Sequence, residues 1–350
     1  MDQKTCADCG QTRDRTHFTL KSSSPDGLSL YCRDCQRIRR MNRRARRTVH
    51  RSSAVPVLNP VAAALPTTDA ATDYVMSKEL VATWAAVQLL VRKGRSAPTL
   101  VFLGPSGCGK SEGAKQLGAL AGLDVTKIDA PSITDPEAWF GTREVVVEDG
   151  APKTVITDSA FVSAIQRPGV LIIDEFNRAT DHTRGIVLGL LDDSRAVTNP
   201  LTGQPLVRHP QCFVIMTGNV GLAFTGTYAV DPAFLTRALV TNFDYLDRTS
   251  ETALLISRTG VDQDAAALLA RFADESRQRA ARDEETTPVS TREILLAADA
   301  VSVGLDVDTA VRQAIINALP SEGGAESPRA KAEMSWTTLR KRVSEEADAY

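Results

Sequence analysis

The string Gly104-Pro-Ser-Gly-Cys-Gly-Lys-Ser111 constrains this chain more than any other feature. It fits G-x-x-x-x-G-K-[ST] at every position, follows the apolar run Thr99-Leu-Val-Phe-Leu103 and precedes a helical pattern over 110–121. That context predicts a strand, a glycine-rich turn and a helix, with backbone N–H groups curled inward around phosphate oxygens. The positive end of the following helix adds to the attraction. The expected nucleotide cradle is thus Gly104, Pro105, Ser106, Gly107, Cys108, Gly109, Lys110 and Ser111. Lys110 is expected against the β- and γ-phosphates, and the Ser111 hydroxyl at one Mg²⁺ position. Cys108 has two readings: a small residue that fits the loop, or a thiol whose pKa the helix N-terminus lowers.

A second apolar run, Val170-Leu-Ile-Ile173, ends in Asp174-Glu175. Such a run reads as a central parallel strand, and its carboxylates fall at the sheet's C-terminal edge, where open α/β sheets bind ligands. Asp174 is suited to hold Mg²⁺, and Glu175 to polarise an attacking water. A third run, Cys212-Phe-Val-Ile-Met216, completes a set of near-continuous strands. Helical patterns at 77–93, 110–121, 158–166 and 180–192 alternate with them, which predicts a doubly wound α/β sheet. Two polar stretches read as hairpins, 144–156 turning at Asp149-Gly150 and 195–209 turning near Thr202-Gly203. Residues 246–350 read as helices only.

The N-terminal part differs in kind. Cys6-x2-Cys9 and Cys32-x2-Cys35 are paired knuckles. In a reducing compartment this spacing reads as a four-thiolate Zn²⁺ site, with a redox dithiol as the competing reading. His17 lies between the pairs, but two complete pairs leave it no coordination position. A module this short buries too little apolar surface to fold unaided, so metal would supply most of its stability. Residues 1–51 carry 13 Lys/Arg against 5 Asp/Glu, a balance of +8, and the remainder balances at −10. Eight of these cations are arginines between Arg37 and Arg51, a footprint for nucleic-acid phosphates, a contact for an acidic partner or a solvated arm. The expected organisation is a zinc module at 1–42, a basic, Ala/Pro-rich linker at 43–72, an α/β core at 73–245 and a helical lid with tail at 246–350. No run approaches the length of a membrane span and the N-terminus lacks the shape of a signal peptide. The expected location is therefore the cytoplasm.

Asp174-Glu-Phe-Asn-Arg-Ala179 resembles the D-E-I-N-R-A motif of AAA+ ATPases in the MoxR, CobS and dynein-related branch. The resemblance spans about residues 73–300 and implies a P-loop core that forms a ring, a homo-hexamer or another ring, followed by a helical lid. Thr217-Gly-Asn219 is similar to the family's sensor-1 strand end, which implies that Asn219 contacts the attacking water or the γ-phosphate. Gly226-Thr-Tyr-Ala-Val-Asp-Pro-Ala-Phe-Leu-Thr-Arg237 resembles the segment that carries the arginine finger, so Arg237 is the candidate to enter a neighbour's site. There Thr236 and Ala238 replace the family's Asp and Phe, and Arg178 and Arg184 stand as alternatives. Ser290-Thr-Arg292 resembles the sensor-2 arginine. In the same branch two hairpins line the ring's central face, at the places of 144–156 and 195–209. The N-terminal cysteine module resembles small zinc modules of bacteriophage proteins. The implied activity is ATP hydrolysis coupled to remodelling of a protein or nucleic-acid partner. Alternative readings are a zinc-dependent nucleic-acid-binding adaptor with nucleotide as assembly switch, and a CobS-like metal-chelatase subunit.

Overall fold

The computed structural model describes residues 3–348 except 8–10, 23, 34, 37–73, 149–150, 180, 193, 220–231 and 283–286. Cys9, the arginines from 37 to 51, the linker, the Asp149-Gly150 turn and residues 226–231 of the finger segment therefore lie outside the described residues. The chain divides into two compact units, Met1–Ala64 and Leu65–Tyr350.

The first unit is two antiparallel pairs. Strand β1 (Gln3–Thr5) pairs with β2 (Thr12–Asp14), and β3 (Phe18–Leu20) with β4 (Leu28–Cys32). Among the described residues its hydrophobic cluster is Cys6, Phe18, Leu28 and Cys32, with Tyr31 and Cys35 beside it. A cluster of four buried side chains offsets little chain entropy.

The second unit is built on a five-stranded parallel sheet. Its strands are β5 (Thr99–Gly104), β6 (Val125–Asp129), β9 (Gly169–Asp174), β12 (Cys212–Asn219) and β13 (Leu239–Asn242). They lie in the order β13-β5-β12-β9-β6, every pair parallel. β5, β9 and β12 are buried at every position, which explains their unbroken apolar runs. Alternate residues serve opposite faces. Leu100, Phe102, Val170, Ile172, Phe213 and Ile215 pack beneath α1 (Lys78–Arg92) and α2 (Lys110–Ala121). Val101, Leu103, Leu171, Ile173, Val214 and Met216 pack on the other face with Phe161 and Ile165 of α3 (Ala160–Ile165) and Leu190 of α4 (Asp181–Leu191).

The two edge strands escaped the sequence reading. β6 alternates exposed and buried residues, and β13 is exposed at three of four positions, so neither presents a continuous apolar run. Helix α3 is also shorter than the 158–166 pattern, because Ser159 caps it by accepting from Val162 N and the chain turns at Gln166.

Both predicted hairpins are present. β7 (Gly141–Glu148) pairs with β8 (Ala151–Asp158), Glu148 opposite Ala151, which leaves two residues for the turn. β10 (Ala196–Thr198) pairs with β11 (Pro205–Val207), and Gly203 in their turn has φ 67. Beyond the sheet, α5 (Pro232–Leu235) precedes β13. Then α6 (Arg248–Thr259), α7 (Gln263–Ala280), α8 (Thr291–Ser302), α9 (Val307–Ala314) and α10 (Pro328–Asp348) share a separate cluster centred on Leu269, Phe272, Ala297, Val311 and Trp336.

Candidate nucleotide site

The strand register gathers the predicted residues on one edge. Asn219 lies opposite Gly104, and Asp129 opposite Asp174. β12 stands between the strand ending in the glycine loop and the strand ending in the acidic pair, so Thr217 and Asn219 sit between the two halves of the site.

The loop from Gly104 to Gly109 bends sharply into α2. Gly109 caps that helix at φ 91, a left-handed conformation that strains any residue with a Cβ. At Gly104 the constraint is space, since a Cβ would sit 2.3 Å from the Phe243 carbonyl oxygen. Lys110 is buried, and its Nζ donates to Gly104 O at 3.0 Å and Pro105 O at 2.5 Å. Burial lowers its pKa, partly opposed by the neighbouring Cys108. Those two loop carbonyls hold the ammonium at the place where a phosphate would compete for it.

Ser111 Oγ donates to Asp174 Oδ1 at 2.6 Å, and Thr217 Oγ1 donates to the same oxygen. Lys127 Nζ pairs with Asp174 Oδ2 at 2.5 Å. Burial alone would raise the Asp174 pKa, but hydrogen bonds from Lys127, Ser111 and Thr217 outweigh it and hold the carboxyl below its usual range. Glu175 follows in a left-handed conformation at φ 52, with its N–H bonded to Thr217 Oγ1 at 3.1 Å. Non-glycine residues adopt such backbone rarely, and here it turns the carboxylate out of the strand into the cleft. Asn219 Nδ2 donates to Glu175 Oε1 at 3.2 Å, and Arg178 donates to Oε2 at 2.9 Å.

The helical segment closes the other side. Ser290 and Glu293 form a capping box at the start of α8, placing Arg292 in its first turn and on the cleft wall. A Cβ on Gly107 would meet Ser290 Cβ at 2.8 Å, so the glycine permits this close approach. Behind it, fully buried Glu251 takes a two-pronged pair from Arg277 at 2.8 and 2.9 Å and a bond from Thr291 Oγ1 at 2.6 Å. The Arg277 guanidinium lies 3.9 Å from the Tyr245 ring centroid. Tyr245 Oη in turn donates to Ser106 O at 3.1 Å. Burial drives the Tyr245 pKa up to about 12, so the phenol remains a donor. Helix α8 and the phosphate loop are thus tied through one buried ion pair.

The cleft encloses about 350 Å³. Its wall carries the polar and charged side chains Lys110, Ser111, Asp174, Glu175, Asn219 and Arg292 together with apolar ones, among them Tyr74, Phe243, Leu246 and Leu295. A lining that offers both charged groups and apolar surface suits a nucleotide, whose phosphates are ionic and whose base is flat and largely apolar. The hard oxygens of Ser111 and Asp174, side by side, suit Mg²⁺.

Of the arginines proposed to act in trans, Arg237 is exposed, donates to Ala233 O at 2.8 Å and is not on the cleft wall. Arg178 is bound to Glu175, and Arg184 donates to Asn177 O at 3.5 Å. Of the two readings of Cys108, the activated thiol is the one the structure goes against: burial raises its pKa above the usual value, and the opposing Lys110 charge does not cancel that. Residues that sequence reasoning missed are Lys127, on an edge strand with no apolar run; Tyr74, at the end of the linker; and Tyr245, just beyond β13.

In the first unit, Cys6, Cys32 and Cys35 bring their sulfurs within 4.8 Å of one another, and Cys32 N–H donates to Cys6 Sγ at 3.3 Å. Three converging soft donors fit a tetrahedral Zn²⁺ site better than a hard-cation site. His17 is exposed and outside this cluster. Among the described residues, no helix is long and apolar enough to cross a membrane.

A parallel sheet with a phosphate loop after one strand and an acidic pair after the next but one defines a P-loop NTPase fold. Residues 99–238 match the AAA domain (dynein-related subfamily), and residues 251–327 match the CbbQ/NirQ/NorQ C-terminal domain. Residues 99–238 thus form an AAA domain of the dynein-related subfamily, followed by a C-terminal domain of the CbbQ/NirQ/NorQ kind. It is 26% identical over 226 residues to an uncharacterized protein of Staphylococcus haemolyticus, covering 64% of this chain and 85% of that one. An uncharacterized protein of Staphylococcus aureus strain USA300 is 26% identical over 231 residues, with the same coverages of 64% and 85%. Among solved structures, the Thermotoga maritima RuvB Holliday junction branch migration motor aligns at 15% identity and TM-score 0.44, covering 71% of this chain and 72% of that one.

Proposed function

We propose that this chain hydrolyses ATP with Mg²⁺ and couples the reaction, as a ring of identical subunits, to remodelling a macromolecular partner. The observation that carries the reading is one linked set: Ser111 and Thr217 on Asp174, and Asn219 on Glu175. In this reading Mg²⁺, held by Ser111 and Asp174, supplies charge neutralisation at the phosphates. Lys110 exchanges its two loop carbonyls for phosphate oxygens. Glu175 accepts the proton of the attacking water, and Asn219 fixes the carboxylate that does so. Arg292 answers the γ-phosphate charge from the same chain, and Arg237, on the open surface, answers it from the neighbouring one.

Zinc on Cys6, Cys9, Cys32 and Cys35 is proposed to hold the N-terminal unit together. The arginine run from 37 to 51 makes nucleic acid one candidate partner, and a protein client is the other. Phosphate release from mixed variants, with and without duplex DNA, tests these points together. Arg237→Ala and Lys110→Ala proteins should each be inactive alone. Mixed, they should regain a measurable fraction of turnover, because intact fingers then meet intact cradles. No recovery at any ratio contradicts the shared site. Stimulation by DNA favours nucleic acid as the partner, and indifference to DNA favours a protein client.

A further inference from the structure

Lys127 is unaccounted for by the reading above. It lies on edge strand β6, paired in parallel with β9 so that Lys127 is opposite Ile172 and Asp129 opposite Asp174. Strand alternation puts it on the same face as Val125. The phosphate-loop helix presses on that face, where a Cβ on Gly118 would lie 2.3 Å from Val125 Cγ2. From there the lysine runs along the sheet to its C-terminal edge and ends 2.5 Å from Asp174 Oδ2.

The two oxygens of Asp174 are therefore divided. Oδ1 takes the hydroxyls of Ser111 and Thr217, and Oδ2 takes the ammonium. Asp174 is only 12% exposed at its side chain, whereas that of Lys127 is 44% exposed, so the lysine has room to leave and the carboxylate has none. An ammonium here neutralises a carboxylate that would otherwise stand beside Glu175 in the same cleft. It also puts a positive charge within a few ångströms of the place where Ser111 and Asp174 would hold a divalent cation. Two cations on one carboxylate compete, by charge repulsion and by occupation of the oxygen.

We propose that Lys127 is a resident counter-cation of Asp174, which holds the carboxylate in the metal-free site and must yield its place when Mg²⁺ enters with nucleotide. This rests on the reading of the cleft as a Mg²⁺-nucleotide site. The lysine thereby flattens the dependence of nucleotide binding on metal. Without metal its charge helps to retain the phosphates; with metal it opposes the ion.

The test is equilibrium binding of the non-hydrolysable ATP analogue AMP-PNP by calorimetry, with Mg²⁺ and with a chelator, for the wild type, Lys127→Met and Lys127→Arg. The quantity of interest is the ratio of the two affinities. Loss of a unit charge at this distance in a partly solvated site should raise that ratio about tenfold in Lys127→Met. Lys127→Arg, which keeps the charge, should stay within about twofold of wild type. A ratio unchanged or lowered in Lys127→Met overturns the proposal, as does an arginine variant that behaves like the methionine one. Lys127→Gln repeats the neutralisation with a polar chain of similar reach, should methionine disturb the edge strand. Failure of wild-type protein to bind AMP-PNP under either condition overturns the nucleotide reading itself, and this proposal with it.

Discussion

Arg208 is a cation in the interior, 2% exposed, whose described hydrogen bonds go to Cys212 O, Ala97 O, Pro98 O and Thr99 Oγ1, with none to a carboxylate. Arg195 lies beside it and caps Ala97 O and His209 O. Burial, and then the Arg195 charge, push the Arg208 pKa down to about 9, which leaves it charged at neutral pH. The pair closes the N-terminal ends of β5 and β12, opposite the edge that carries the nucleotide site. Its role is to satisfy carbonyls that the turns leave without donors. Arg208→Met keeps the apolar stem and removes the donors, so about 2–4 kcal/mol of stability should be lost. A lower urea midpoint with unchanged slope would show it; an unchanged midpoint would contradict it. Nothing in the sequence marks Arg208 as interior, because an arginine beside a hairpin ordinarily faces water.

At the scale of elements, legibility followed burial. β5, β9 and β12 are covered on both faces, so their residues are apolar without a break and the sequence declares them. β6 and β13, at the sheet's edges, carry alternating or exposed residues and declare little. The cost of that silence was Lys127, since a residue on an unseen strand cannot be assigned to a site. The glycine loop and the acidic pair were expected from a spacing that phosphate and metal geometry dictate, and Asn219 only from the resemblance of Thr217-Gly-Asn219 to a family motif. Tyr245 and the Arg277–Glu251 pair were not, because they act through the fold and carry no local signature.

The small N-terminal unit is the opposite case, with cysteine spacing more informative than hydrophobicity. Among the described residues its β-pairs are three to five residues long around a cluster of four buried side chains, so the zinc proposed above would add most to its stability. Purified protein should contain about one zinc per chain, and Cys32→Ser should lose most of it. Metal analysis by atomic absorption decides this; wild-type protein without zinc, or a variant that retains it fully, would contradict the assignment.

At the scale of the whole molecule, a parallel sheet builds the cleft and a helical segment closes it. Their junction is short: Gly107 against Ser290, Tyr245 on Ser106, and Thr291 and Arg277 on Glu251. A change at the phosphates therefore has a direct route into α6, α7 and α8, the kind of link that lets a nucleotide bias a domain's position. Arg237 is exposed, as its proposed role in a neighbour's cleft requires. All of this depends on the cleft being a hydrolytic one, with Glu175 as its base. Glu175→Gln changes one oxygen to nitrogen at a half-exposed site, retains the contact to Asn219 and should leave the fold intact. ATP binding and steady-state phosphate release, measured side by side on the wild type and this variant, test the claim most directly. The account predicts binding within a fewfold of wild type and turnover lowered by about 10²-fold or more. Turnover close to wild type in Glu175→Gln would contradict it.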